Sequence, residues 1–242
     1  MKPVLIIQTG RAPDPIRGRH GDFPHWFRIG TRVEPHRLQV VEVSAGHSLP
    51  PPREVAGAMI TGSAAMVTER ASWSERTAGW IRDAMDLDLP LFGVCYGHQL
   101  MAHAMGGRID YLPGGREIGT QPIELINDAS HDVLTAGLPA VFRAHTTHEQ
   151  SVLEPPRGST VLARSTRDPH QLLRYGPSAI STQFHPEFNA EVMRAYVRRK
   201  HADMRQEGSD PTGVFKAVAA TPMARRLLRH FSRVHGWSHA ID

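Results

Sequence analysis

The sequence predicts an α/β fold: a doubly wound, mainly parallel sheet flanked by helices, with a C-terminal helical appendage. Three observations point there. Several short apolar runs lack the polar alternation of a half-exposed strand, which suits a sheet covered on both faces. Helical patterns lie between those runs, as crossover connections require. The last fifty or so residues carry helical periodicity instead, punctuated by proline and glycine. With 242 residues, 40% of them apolar, the chain can bury a full core. The expected division is one α/β domain over 1–190 and a helical extension over 191–242 packed on it.

The elements follow in order. The chain opens with MKPVLIIQTGRAPD, whose apolar run is too short for a signal-peptide core or a membrane span and reads as a buried strand at 4–8. RAPDPIRGRHGDFPHWF (11–27) reads as a long aromatic loop, either packing or a lid. Strands are expected at 38–43, 57–61 and 91–94, with SLPPPRE (48–54) as a loop between the first two. A helix is expected at 73–85, with Trp73, Trp80, Met85 and Leu87 as core, and another at 97–105, stopped by Gly106 and Gly107. Further strands are expected near 121–126, 160–165 and 179–184. Beyond 188 come AEVMRAYVRRKHADMRQEG, DPTGVFKAVA and TPMARRLLRHFSRV, read as helices with Pro211 and Pro222 at first turns and Gly208 as a C-cap. In the last, Arg225, Arg226, Arg229 and Arg233 share a side read as solvated, and Leu227, Leu228, Phe231 and Val234 provide an apolar one.

Composition removes several classes of function. One cysteine permits no intrachain disulfide, so a reducing, cytoplasmic setting is expected. The basic balance comes from 25 Arg against three Lys, scattered among acids and without aromatic interleaving, so neither a nucleic-acid nor a membrane partner is expected. TGSAAM lacks the lysine of a phosphate loop and no G-x-G-x-x-G follows the first strand, so no cofactor is expected. His145 and His148 form H-x-x-H, but Thr146 and Thr147 favour an extended segment and no third ligand completes a set, so no metal is expected.

The chemistry centres on PLFGVCYGHQLMAHAMGG (90–107). Cys95 lies where a strand meets a helix, with Gly93 two before and Gly97 two after. A tight strand-to-helix turn strains its apex residue and crowds its neighbours, which is the demand of a nucleophile elbow. The helix start would also favour the thiolate. A small buried cysteine satisfies the same spacing, and the spacing alone does not choose. A nucleophilic thiol needs a base and something to hold that base. His185-Pro186-Glu187, after the strand-like AISTQF, supplies both types: in extended geometry residues two apart share a side, so Glu187 would steer the His185 imidazole. A structural histidine near a strand end is the other reading.

GVCYGHQ (93–99) and QFHPE (183–187) together resemble the class I glutamine amidotransferase domain. AMITGSAAMV (58–67) resembles that family's oxyanion-loop segment, and HTTHEQSV (145–152) its glutamine-pocket segment. The likeness covers roughly 38–190, and the tail and the 11–27 loop resemble stand-alone, GMP synthetase-like members without a synthetase domain. The resemblance implies a flavodoxin-like sheet and a triad of Cys95 as nucleophile, His185 as general acid and base, and Glu187 as its orienting partner. It implies oxyanion donors from the main chain of Tyr96 and the Gly62–Ser63 turn, and substrate contacts from Gln99, His148 and Glu149. Fused relatives tend to have Gly-Gly-Pro where this chain has Gly62-Ser63-Ala64, which predicts a less rigid turn. The implied reaction is hydrolysis of glutamine's side-chain amide through a γ-glutamyl thioester, with ammonia passed to an acceptor on a separate synthetase subunit. A hydrolase of other γ-glutamyl amides would use the same triad, and a non-catalytic binding protein would leave it idle.

Overall fold

The computed structural model describes residues 1–238. In chain order the elements are β1 (Val4–Gln8), α1 (Asp14–His20), α2 (Phe23–Thr31), β2 (Leu38–Glu42), β3 (Gly57–Ile60), α3 (Ser72–Met85), β4 (Leu91–Val94), α4 (Tyr96–Ala104), β5 (Arg108–Tyr111), β6 (Glu117–Leu125), β7 (Val141–His148), β8 (Gln150–Glu154), β9 (Thr160–Arg164), β10 (Leu172–Arg174) and β11 (Ala179–Thr182). Four helices follow: α5 (Ala190–Arg199), α6 (His201–Gln206), α7 (Pro211–Ala217) and α8 (Pro222–Val234).

Nine strands form one sheet in the order β2-β1-β3-β4-β11-β10-β9-β6-β7. The five from β2 to β11 run parallel, and the rest continue antiparallel. β5 and β8 make a separate antiparallel pair. The parallel strands β1, β3, β4 and β11 are buried throughout because both faces are covered. Val4 and Ile6 enter one core with Met59, Phe92 and Phe27, while Leu5 and Ile7 enter the other with Ile60, Leu91, Ile81 and Leu100. The period-2 alternation of Cβ atoms thus sorts one strand between two layers.

Several expectations change in the fold. The 11–27 segment is not a loop: it holds α1 and the first part of α2. Asp22 explains why: its carboxylate accepts from the main-chain amides of Ala12 and Phe23 and from Gln8 Nε2, stapling α1 and α2 to the end of β1. The long helix expected at 190–208 is α5 and α6, because Lys200 leaves helical geometry (φ −92°, ψ 8°). Pro211 and Pro222 do open α7 and α8. Leu87 and Val234 are exposed, not core. Trp80 is buried, and its indole N–H donates to Pro50 O at 2.7 Å. Leu227, Leu228 and Phe231 anchor α8 in the core shared with α2.

Candidate active site

The site grows from one register. β4 and β11 are parallel neighbours, with Val94 opposite Thr182, so the residues after each strand leave the same edge side by side. That edge is the carboxyl end of the parallel strands, where open α/β sheets place their crevices.

Cys95 follows β4 directly and has φ 53° and ψ −102°. Such a conformation lies outside the ordinary left-handed well and typically costs ~1–3 kcal/mol for a residue with a Cβ. The flanking structure enforces it. Cys95 N–H donates to Thr182 O at 2.8 Å, and Gln99 N–H donates to Cys95 O at 3.0 Å. A Cβ on Gly93 would stand 2.6 Å from Gly97 O and from Met101 Sδ, and one on Gly97 would collide with Ile60 O of β3. Both glycines are therefore there so that α4 can start against the sheet.

His185 and Glu187 meet through a turn, not along an extended strand. β11 ends at Thr182, two residues short of the expected 184, where the Thr182 hydroxyl donates to Phe184 O at 2.8 Å. His185 N–H donates to His145 O at 2.8 Å, and Phe188 stacks on the imidazole at 4.0 Å and 16°. His185 Nδ1 lies 2.7 Å from Glu187 Oε1, both side chains buried. Nε2 has no well-formed hydrogen bond, but Cys95 is close enough to act on the ring's protonation. Burial pushes the imidazole's pKa down. The charges and hydrogen bonds of Glu187 and Cys95 outweigh that, and the ring is pushed up to about 10.

The Gly62–Ser63 turn is tied down, contrary to the looseness that Gly62-Ser63-Ala64 predicts. Ser63 Oγ donates to Thr9 O at 2.9 Å and accepts from Ala65 N at 3.1 Å. Thr9 Oγ1 donates to Thr61 O at 2.9 Å, and Thr61 Oγ1 accepts from Thr9 N at 3.1 Å. Side chains replace the stiffness a proline would supply. Gly62 lies against the histidine: a Cβ there would be 3.0 Å from His185 Cε1. The main-chain amides of Tyr96 and Ser63 donate to no carbonyl among the described residues.

A cleft of about 180 Å³ opens over Cys95 and His185. Ser63, Tyr96, Gln99, His148 and Glu149 also line it. Gln99 is buried, with Nε2 donating to Gln150 O at 2.6 Å and to Gln183 Oε1 at 3.0 Å, so it is not the exposed helix residue its position in α4 allows. His148 turns its ring into a buried cluster, 3.1 Å from Asp168 and 3.6 Å from Glu117. Burial raises the Glu117 carboxyl, whereas Asp168 is lowered because hydrogen bonds and charge from His148 and Ser151 overcome its burial. Glu149 sits at the rim, 2.8 Å from Arg116 and 3.6 Å from Lys200. His145 faces away from His148, as three positions along a strand demand. Burial lowers it to about 4, leaving it neutral beside His185. Among the described residues no group of three or more His, Cys, Asp or Glu could hold a metal ion, and no helix is long and apolar enough to cross a membrane.

Sequence reasoning misses the cleft residues Phe23, Arg116, Tyr196, Arg199 and Lys200. Phe23 is visible as an aromatic in an unusually long connection. Nothing local marks Arg116, which reaches the cleft from the residue before β6, across a sheet the sequence does not order.

The fold and this edge define an α/β protein with a strained cysteine beside a buried His–Glu pair. Comparison with known proteins then gives its family. The profile of the family described as "Glutamine amidotransferase class-I" matches residues 32–204, and the chain belongs to that family. GMP synthase [glutamine-hydrolyzing] of Aeropyrum pernix is 31% identical over 142 residues, covering 59% of this chain and 25% of that one. GMP synthase [glutamine-hydrolyzing] of Corynebacterium efficiens is 34% identical over 187 residues, 77% of this chain and 32% of that one. Gamma-glutamyl peptidase 5 of Arabidopsis thaliana is 26% identical over 145 residues, 59% of this chain and 58% of the other. The chain thus spans between a quarter and rather more than half the length of these relatives. A glutamine amidotransferase from Thermotoga maritima shares the fold, with a TM-score of 0.77 at 20% identity over 97% of this chain and 98% of that one.

Proposed function

We propose that the protein hydrolyses the side-chain amide of glutamine with Cys95 as nucleophile, His185 as general acid and base and Glu187 as its orienter. The observation that carries this reading is a cysteine held at φ 53° beside an imidazole whose far nitrogen is 2.7 Å from a buried carboxylate. Burial and strain are both costs to stability, and a merely structural cysteine would require neither.

In the proposed sequence the Cys95 thiolate forms a bond to the amide carbon, and the electron pair moves to the carbonyl oxygen. The amides of Tyr96 and Ser63 would receive that oxyanion, a role typically worth about a hundredfold or more in rate per donor. As the C–N bond breaks, His185 gives its Nε2 proton to the departing nitrogen, which leaves as ammonia. Water then loses a proton to His185 and attacks the γ-glutamyl thioester, releasing glutamate and restoring the thiol. Gln99 and Glu149 are placed to meet the substrate's α-substituents. His148 is placed to brace that wall from behind. An ammonia acceptor on a separate synthetase chain is supported by the likeness to GMP synthases, whose glutamine-hydrolysing part is a separate subunit in Methanopyrus kandleri. A reducing cytoplasm is consistent with a single working thiol.

A second reading, hydrolysis of other γ-glutamyl amides, is favoured by the likeness to gamma-glutamyl peptidases. The same triad serves both, and the cleft selects between them. Wild type and Cys95→Ala should be offered glutamine and a panel of γ-glutamyl amides, with release of glutamate and of ammonia or amine measured. Glutamine turnover lost in Cys95→Ala is the expected result. Turnover of bulky amides without glutamine would favour the second reading, and equal residual turnover in both proteins would sink the catalytic assignment.

A further inference from the structure

The C-terminal helix α8 lies wholly outside the residues that match the family, yet it ends up against the triad. Arg225 Nη2 donates to the main-chain oxygen of Glu187 at 3.1 Å. The same helix presses Leu228, fully buried, into the gap between α2 and residue 187: a Cβ on Gly30 would be 2.8 Å from Leu228 Cδ2 and 3.9 Å from Glu187 Cα. Glu187 needs outside support. Its Oε1 is taken by His185, while Oε2 is buried and has no hydrogen-bond partner among the described residues. Leaving a carboxylate lone pair dry and unpaired is costly unless a cation lies near.

Arg225 is the nearby cation without a competing partner. Among the described residues no carboxylate stands within ion-pair distance of it. Its burial lowers its proton affinity and the charge of Glu187 raises it, so the two groups interact through space as well as through the carbonyl. The other charged or titratable groups facing this spot are few. His145 on β7 stands by His185 and feels both Arg225 and Arg194 of α5. Tyr196 of α5 feels Glu187, Cys95 and the Asp22 carboxylate before α2. Arg229 of α8, with Arg32 after α2, adds to the positive side.

Resting on the triad reading above, we propose that Arg225 is a positioning residue: it pins the main chain of Glu187 and supplies the cation that balances its carboxylate, so that α8 tunes the Cys95–His185 pair from behind. The sign follows from electrostatics. Without this cation both the Glu187 carboxylate and the Cys95 thiolate are less favoured, so the thiolate forms only at higher pH.

The single cysteine makes the test direct. The rate of Cys95 alkylation by iodoacetamide should be followed from pH 4 to 9 in wild type, Arg225→Gln, which keeps an N–H donor without charge, and Arg225→Lys, which keeps the charge, with Cys95→Ser as a labelling blank. The acid limb is expected to rise by about one pH unit in Arg225→Gln and to stay in place in Arg225→Lys. A limb that stays in Arg225→Gln, or moves equally in both, overturns the proposal, since a purely structural contact would behave so. Should Arg225→Gln fail to fold, a displaced limb in a folded Arg225→Lys overturns it and an unmoved one supports it. A wild type whose thiol alkylates no faster than a free thiol and shows no acid limb below the ordinary cysteine range would instead defeat the triad reading itself.

Discussion

His185 Nδ1 and Glu187 Oε1 stand 2.7 Å apart across Pro186, in a turn that stacks Phe188 on the imidazole and buries both side chains. The pair is aligned by a hydrogen bond on one edge of the ring and a stacked face on the other. Removing the acid should therefore disturb orientation and charge together. Glu187→Gln is expected to lower kcat/KM for the amide substrate on the order of a thousandfold or more, as when the acid of a hydrolytic triad becomes an amide. Steady-state kinetics on the folded variant checks this; a loss under about tenfold would remove Glu187 from the triad.

The same pair makes stability depend on pH in a defined window. His185 is held at about 10, above the ordinary histidine value of about 6.5. A group raised on folding contributes stability that is fully present below its unfolded pKa and is lost as pH rises through its folded one. The stability difference between wild type and Glu187→Gln should therefore be greatest near pH 6 and shrink as pH climbs toward about 10. Urea unfolding of both proteins at several pH values measures it. A difference that grew with pH would contradict the sign.

The elbow is expected to reject a methyl group. Gly97→Ala places its Cβ against Ile60 O, a strand carbonyl that cannot move without disturbing β3. Overpacking of this kind typically costs ~1–3 kcal/mol, and the thiol would be displaced as well. Resistance to urea and the alkylation rate of Cys95 should both fall. Full stability with normal alkylation would show that α4 does not sit this close to the sheet.

Ser63 is expected to act through rigidity. Ser63→Ala removes both the donor to Thr9 O and the acceptor for Ala65 N, at roughly 1 kcal/mol of stability. If Ser63 N–H receives the oxyanion, a loosened turn should lower kcat by about tenfold, less than loss of the donor itself, and leave KM nearly unchanged. A variant that raised KM alone would place Ser63 in ground-state binding instead.

The rim carboxylate gives a contrasting signature. Glu149, held by Arg116 and Lys200, is placed for the α-ammonium of the substrate. Glu149→Gln should raise KM for glutamine by roughly tenfold with kcat little changed, since uniform binding is what it would remove. Saturation kinetics decides between this and a loss in kcat.

Much of the fold and of the candidate site is legible in residue order. The buried runs of β1, β3 and β4 announce a covered sheet because no polar alternation interrupts them, and Gly93 and Gly97 announce a crowded turn around Cys95. The antiparallel half is only partly legible. β6 and β9 show in the sequence in shortened or shifted form, while β5, β8 and β10 are short or partly exposed and carry little periodicity. α1 and α2 read as a loop because proline and glycine interrupt both, and what makes them helices is the reach of Asp22 to Ala12 and Gln8.

The sequence by itself determined the α/β class, the elbow, and the types of residue available for the chemistry, since each rests on spacing along a few turns or strands. Only the tertiary structure decided who meets whom. The parallel register of β4 with β11 brings Cys95 to His185 from distant parts of the chain, Ser63 answers to Thr9, and Arg225, which the helical pattern put on a solvated face, turns to Glu187. A periodic pattern states which side of a helix is apolar. It does not state which buried charge lies within reach of the boundary between its faces, because that depends on where the rest of the chain has packed.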